Sequence, residues 1–176
     1  MPETRARILE AALRLFVTDG YQTSTVRDLA AEVGLTSAAL YYYFPSKEAC
    51  LEALVTPYLD AVDRVLERHP IATNQRRRTR RSLLLEYLAV LLQSPDLTRL
   101  VDRDPGIYSH AEFGPRIEKI VDGFLLRLAG AEATPGGRLR ATAALGALRR
   151  PVLRTDIDVE PLAEELVDLA MCMFDG

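Results

Sequence analysis

The chain has 176 residues, 48% hydrophobic and 27% charged, which excludes a disordered tail and suffices for a core that buries roughly 70% of the unfolded surface without disulfides or a structural metal. The 25 acidic and 22 basic side chains leave a formal charge of −3, so nucleic-acid binding would have to come from a local patch and not from an overall positive field. Cys50 and Cys172 lie far apart, and His69 and His110 are the only histidines, which excludes CxxC and HExxH motifs; the cysteines read as two buried thiols, with no metal and no cofactor.

Apolar residues recur at three and four along the chain and nowhere alternate for long, predicting an all-α fold of about nine helices. The start, Met1 to Arg7, is charged and runs into an amphipathic pattern unlike a secretory leader. The densest apolar stretch, Leu83 to Leu92, contains Glu86 and is about half the length a bilayer requires. A cytoplasmic protein with no membrane partner is expected.

The first helix, 5–19, carries Ile8, Leu9, Ala12, Leu13 and Phe16 on one stripe and stops at Gly20. Thr25 followed by Asp28 is a capping-box pattern opening a second helix with Val26, Leu29, Ala30 and Val33 on one face, ended by Gly34. A third begins at Thr36 or Ser37 and keeps Leu40 and Phe44 together before Pro45. Ser46 caps a fourth, Lys47 to Arg68, about 33 Å long. A fifth spans 75–93, a sixth 95–103, a seventh 115–129, an alanine-rich eighth 135–150 and an apolar ninth 158–174; residues 104–114, with Pro105, Gly106 and Gly114, read as a loop.

Helices two and three, joined by Gly34-Leu35, make a helix-turn-helix over about residues 25–44. With Leu40 and Phe44 turned to the core, Ala38, Ala39, Tyr41 and Tyr42 point away and Ser37 and Tyr43 flank them. Three consecutive tyrosines cannot all face one core; their hydroxyls suit phosphate oxygens, and small residues near the helix start permit approach to base edges. Thr25 and Arg27 offer a helix N-terminus to a phosphate. Lys47 in a first helical turn opposes the helix dipole, which a partner anion would explain.

The run from Thr25 to Glu48, TVRDLAAEVGLTSAALYYYFPSKE, resembles the N-terminal signature of TetR-family transcriptional regulators, a likeness covering about residues 5–54. The resemblance implies a homodimer with a helix-turn-helix DNA-binding domain at 1–46 and a helical effector-binding and dimerisation domain at 47–176. Carried over position by position, it assigns DNA contacts to Thr25, Arg27, Ser37, Ala38, Ala39, Tyr41, Tyr42, Tyr43 and Lys47. Tyr43 stands where many members have histidine and Ala39 where many have threonine.

The resemblance further implies a palindromic double-stranded operator, a dimer seam at about 135–150 and 158–174, and a small-molecule effector. The apolar fifth and seventh helices point to a hydrophobic one, with Tyr58, Tyr87, Tyr108, His110, Phe113 and Phe124 as candidate liners and 104–114 as its entrance. Arg76, Arg77, Arg78, Arg80 and Arg81 read as a solvated face with local acidic partners. The expected function is a ligand-responsive regulator, a repressor released by effector; the alternative is a helical ligand-binding or interaction protein without DNA binding. No acid, base or nucleophile constellation suggests an enzyme.

Overall fold

A computed structural model describes residues 2–72, 76–154 and 156–174. The described residues form ten α-helices and two 3-10 turns with no strand. Helix α1 (Pro2–Asp19) buries Ile8, Ala11, Ala12, Leu15 and Phe16, so Ala11 and Leu15 join the core while Leu9 and Leu13 stay half-buried. Helices α2 (Val26–Glu32) and α3 (Ser37–Tyr43) follow, then α4 (Lys47–Arg68), whose stripe of Leu51, Val55, Leu59, Val62, Val65 and Leu66 is buried as its spacing requires.

Helix α5 (Arg77–Gln93) starts two residues later than expected, and the expected first residue, Gln75, lies outside the described residues. Helix α6 (Pro95–Arg103) matches its proline start. The expected loop at 104–114 is shorter than its composition suggests. Asp104 caps a one-turn helix, α7 (Pro105–Tyr108), because proline suits a first helical position, and α8 (Phe113–Ala129) begins two residues before Pro115, which sits in the first turn where a missing N–H costs no intrahelical bond. Thr134 caps α9 (Pro135–Val152), and α10 (Ala163–Met171) lies between 3-10 turns at Glu160–Leu162 and Cys172–Phe174. Cys50 is buried, but Cys172 is exposed on that last turn, correcting the expectation of two buried thiols; the turn faces it away from the α10 core of Leu166, Val167, Ala170 and Met171.

Contacts divide the chain into two units. One contains 1–59 and 96–114, the other 60–95 and 115–176. Helix α4 supplies residues to both, and Pro57, just before the division, lacks the N–H that would bond the Ala53 carbonyl. In the second unit, Arg127 donates from Nε to the Leu66 carbonyl at 3.0 Å and caps the end of α4, while Arg116 reaches Asp60 and Asp63, both at 2.6 Å.

Also in the second unit, α9 and α10 pack on each other and on α5. Helix α9 buries Ala141, Ala144, Leu145, Leu148 and Val152, while Leu139, Ala143 and Gly146 lie on another face, exposed. Leu162, Leu169 and Met173 at α10 are likewise exposed. Arg81 pairs with Glu164 and Asp168 of α10, and Arg80 donates to the Leu128 carbonyl at 2.7 Å, so part of the arginine run has local partners.

Candidate nucleic-acid interface

The loop after α1 begins at Gly20, whose φ of 88° ends that helix. Thr25 then caps α2: its Oγ1 accepts from the Asp28 amide at 3.2 Å while Asp28 Oδ2 accepts from the Thr25 amide at 3.0 Å. At the other end, Gly34 adopts φ 69° and the Leu35 amide bonds back to the Ala30 carbonyl at 2.9 Å. This Schellman closure needs a left-handed residue, which is why glycine stands between the helices. Thr36, of the two expected caps, is the one used, its Oγ1 accepting from the Ala39 amide at 3.1 Å.

These caps fix the orientation of α3. Leu40 and Phe44 are buried, and Tyr41 and Tyr42 project with 50% and 74% of their surface exposed. Tyr43 is half-buried and meets Tyr42 edge to face at 5.3 Å between centroids. Ala38 is exposed, Ser37 and Ala39 half-buried, and Thr25 and Arg27 exposed at the start of α2. Small residues near the start and tyrosines further along thus lie on one face of α3.

Lys47 is held by other groups than the anion that its position suggested. Its Nζ donates to the carbonyls of Tyr21 at 2.6 Å and Ser24 at 2.8 Å and sits 4.3 Å from the centre of the Tyr21 ring. Burial lowers the ammonium's pKa and the Asp104 carboxylate opposes that shift; burial, followed by Glu48, raises that of the Tyr21 hydroxyl. The carbonyls left over by the α1–α2 loop supply the negative charge that offsets an unfavourable helix end.

Arg5, Tyr21 and Asp104 escaped the sequence reading. Arg5 donates to the Tyr43 carbonyl at 2.8 Å and lies 4.0 Å over the Phe44 ring, tying α1 to the end of α3. Asp104 accepts from the Tyr21 amide at 2.6 Å. The one available signal was Asp104-Pro105-Gly106, a cap followed by a first-turn proline, which reads equally well as a loop.

The six aromatic and histidine residues named as effector liners divide between the units. In the first, Thr98 donates to the Tyr58 hydroxyl at 3.2 Å, Tyr108 is 43% exposed, and His110 stacks on the buried Phe113 while Nε2 donates to Glu48 at 3.1 Å. In the second, Tyr87 and Phe124 are core, with rings 4.2 Å apart. A cavity of about 420 Å³ in the second unit is lined by Leu85, Leu88, Ala89, Leu92, Gln93, Glu160 and Ala163, and one of about 130 Å³ in the first by Phe16, Val17, Arg99, Leu100, Arg103 and Asp104. Neither takes a wall from those six side chains, because an aromatic residue at helical spacing fills a core as readily as it lines a pocket.

Residues 8–54 match the profile described as bacterial regulatory proteins, tetR family. The chain is 35% identical over 92 residues to the HTH-type transcriptional regulator YuxN of Bacillus subtilis (strain 168), covering 52% of this chain and 32% of YuxN. It is 39% identical over 56 residues to the HTH-type transcriptional repressor KstR2 of Mycobacterium tuberculosis, covering 32% of this chain and 28% of KstR2. The aligned part therefore spans a third or less of these curated relatives. Among solved structures, AmtR of Mycobacterium smegmatis superposes with TM-score 0.77 at 21% identity over 98% of this chain and 86% of that one. KstR2 does so with TM-score 0.73 at 16% identity over 96% and 93%. No described helix is long and apolar enough to cross a membrane. The segment that holds the capped helix-turn-helix, residues 8–54, is thus similar to the tetR family of bacterial regulatory proteins, and the helical chain as a whole shares the fold of AmtR and KstR2.

Proposed function

We propose that this protein is a dimeric, ligand-responsive transcriptional regulator that represses by occupying a palindromic operator. The observation that carries the reading is the outward display of Tyr41 and Tyr42 on a short helix held by caps at both ends, within the segment matching the family profile. In functional terms residues 1–46 are the DNA-binding domain and 47–176 the regulatory one. Tyr41, Tyr42 and Tyr43 give hydroxyls to the groove and backbone, Ser37, Ala38 and Ala39 admit base edges, and Thr25 and Arg27 meet a phosphate at the start of α2. Lys47 acts chiefly from below, by ordering the loop that precedes α2.

Two heads on one face of a duplex require a twofold partner. The exposed apolar residues Leu139 of α9, Leu162 of the turn before α10 and Leu169 of α10 support the dimer seam at about 135–150 and 158–174. A hydrophobic effector suits the 420 Å³ cavity, whose walls are mostly leucine and alanine with Gln93 and Glu160 as polar handles. Binding there would favour one conformation of the second unit, with α4, continuous through Pro57, carrying the change.

In vitro selection of duplexes on the full-length protein, followed by anisotropy titration of the winners, tests the reading. A palindromic consensus is expected. For roughly six to eight phosphate contacts per dimer, log K against log[salt] should slope at about −5 to −7. Failure to enrich any sequence, together with sedimentation as a single subunit, would refute it.

A further inference from the structure

Asp104 joins two segments through one carboxylate. Only 8% exposed, it accepts from the Gly106 amide through Oδ1 at 2.7 Å and from the Tyr21 amide through Oδ2 at 2.6 Å. The first bond is the cap of α7. The second reaches the loop that leads into α2. The carbonyl of that same Tyr21 is taken by Lys47, so both polar groups of one peptide residue are held by side chains. The first turn of α7 also bears directly on this loop, since a Cβ on Gly106 would stand 2.9 Å from Asp104 Oδ1 and 3.0 Å from Gln22 Nε2.

We propose that Asp104 is a positioning residue that couples α7 to the helix-turn-helix. A carboxylate bonded on each side cannot follow one partner without releasing or dragging the other. Rotation or unwinding of α7 therefore displaces Tyr21, and the displacement passes through Ser24, whose hydroxyl bonds the Gly20 carbonyl at 2.7 Å, to the Thr25 cap. From there the closed Gly34 turn carries it to α3. The inference rests on the DNA-binding reading above, but the route runs through α7 and requires no movement of α4.

The test uses full-length Asp104→Asn and Gly106→Ala, with hydrogen exchange of residues 21–43 and affinity for the duplex selected on the unmodified protein. An asparagine offers one oxygen where two are needed, so the bridge is broken whichever amide keeps it. Gly106→Ala keeps the carboxylate's chemistry and presses on both Asp104 Oδ1 and Gln22 Nε2. Both variants should exchange faster across α2 and α3 and bind the duplex at least about fivefold more weakly, the low end of ordinary coupling between sites, with helix content and oligomeric state unchanged. Wild-type exchange in α2 and α3 together with wild-type affinity in both variants overturns the proposal. If Asp104→Asn does not fold, Gly106→Ala decides alone. If the unmodified protein selects no duplex, the DNA-binding reading fails while exchange in α2 and α3 still decides the coupling.

Discussion

Arg5 Nη1 donates to the carbonyl of Tyr43 at 2.8 Å, placing a guanidinium from the first turns of α1 on the last residue of α3. The last carbonyls of a helix lack intrahelical donors, and a cation there also complements the helix dipole. The same guanidinium covers the buried Phe44 ring. Arg5→Ala should cost about 1 kcal/mol, a fall in midpoint of about 2–4 °C for a chain of this size. DNA affinity should drop with it as the end of α3 frays. Thermal unfolding by circular dichroism and anisotropy on one preparation check both, and a variant as stable as the parent would deny the contact any role.

Exposure separates recognition from folding at Tyr42. With 74% of its surface open, Tyr42→Ala should shift stability by no more than about 0.5 kcal/mol and yet weaken duplex binding about tenfold, the loss of one hydroxyl contact to a charged phosphate. Tyr42→Phe, which keeps the ring, should lose a similar amount if the hydroxyl is the contact and little if stacking on sugar is. Equal affinity for all three proteins would remove Tyr42 from the interface.

Lys47 behaves in the opposite way. Its ammonium satisfies the Tyr21 and Ser24 carbonyls, and hydrogen bonds from a charged donor contribute about 1.5–3 kcal/mol. Lys47→Met should therefore destabilise the protein by about 2 kcal/mol and accelerate exchange at the α2 cap even with no DNA present. A Lys47→Met protein of parental stability that loses DNA binding would instead restore the ammonium to the phosphate backbone.

Contrasts of this kind mark how far residues alone could be read. The caps at Thr25, Thr36 and Ser46 and the turn at Gly34 were legible because each depends on partners within a few positions. Lys47 was recognised as out of place against the helix dipole, but its partners lie more than twenty residues back in the chain, and nothing local names them. The Asp104–Tyr21 bond spans 83 positions and left no trace beyond a cap-like tripeptide. Effector liners were illegible for another reason: Tyr87, Phe113 and Phe124 have the composition of a pocket and the burial of a core.

Glu86 links the end of α4 to α5 in the second unit, accepting from Arg68 at 2.7 Å and His69 at 2.8 Å. Burial pushes its carboxyl up, but the hydrogen bonds and charges of Arg68 and His69 outweigh it and leave the pKa below the ordinary 4.5. A carboxylate with a depressed folded pKa adds stability that is present above its unfolded value and lost as pH falls through the folded one. Glu86→Gln should thus be less stable than the parent near neutrality, the gap closing as pH falls from about 5 to about 3. Denaturant midpoints across that window check it; a gap that widens on acidification reverses the sign and sinks the assignment.

Leu169 is 56% exposed on α10 and Leu139 70% exposed on α9, although each helix already has its own buried face. At about 25 cal/mol per Å² such side chains favour cover, and a twofold contact would supply it from identical residues on the second subunit. A carboxylate at Leu169 would then be desolvated twice per interface and set against its own copy. Leu169→Asp should sediment as a single subunit at concentrations where the parent is a dimer, with helix content of the isolated subunit near that of the parent because more than half of Leu169 lies outside the subunit's own core. Duplex affinity should fall far more than for any single change on α3, since both heads lose their shared anchor. A dimer of undiminished strength would move the seam away from α10.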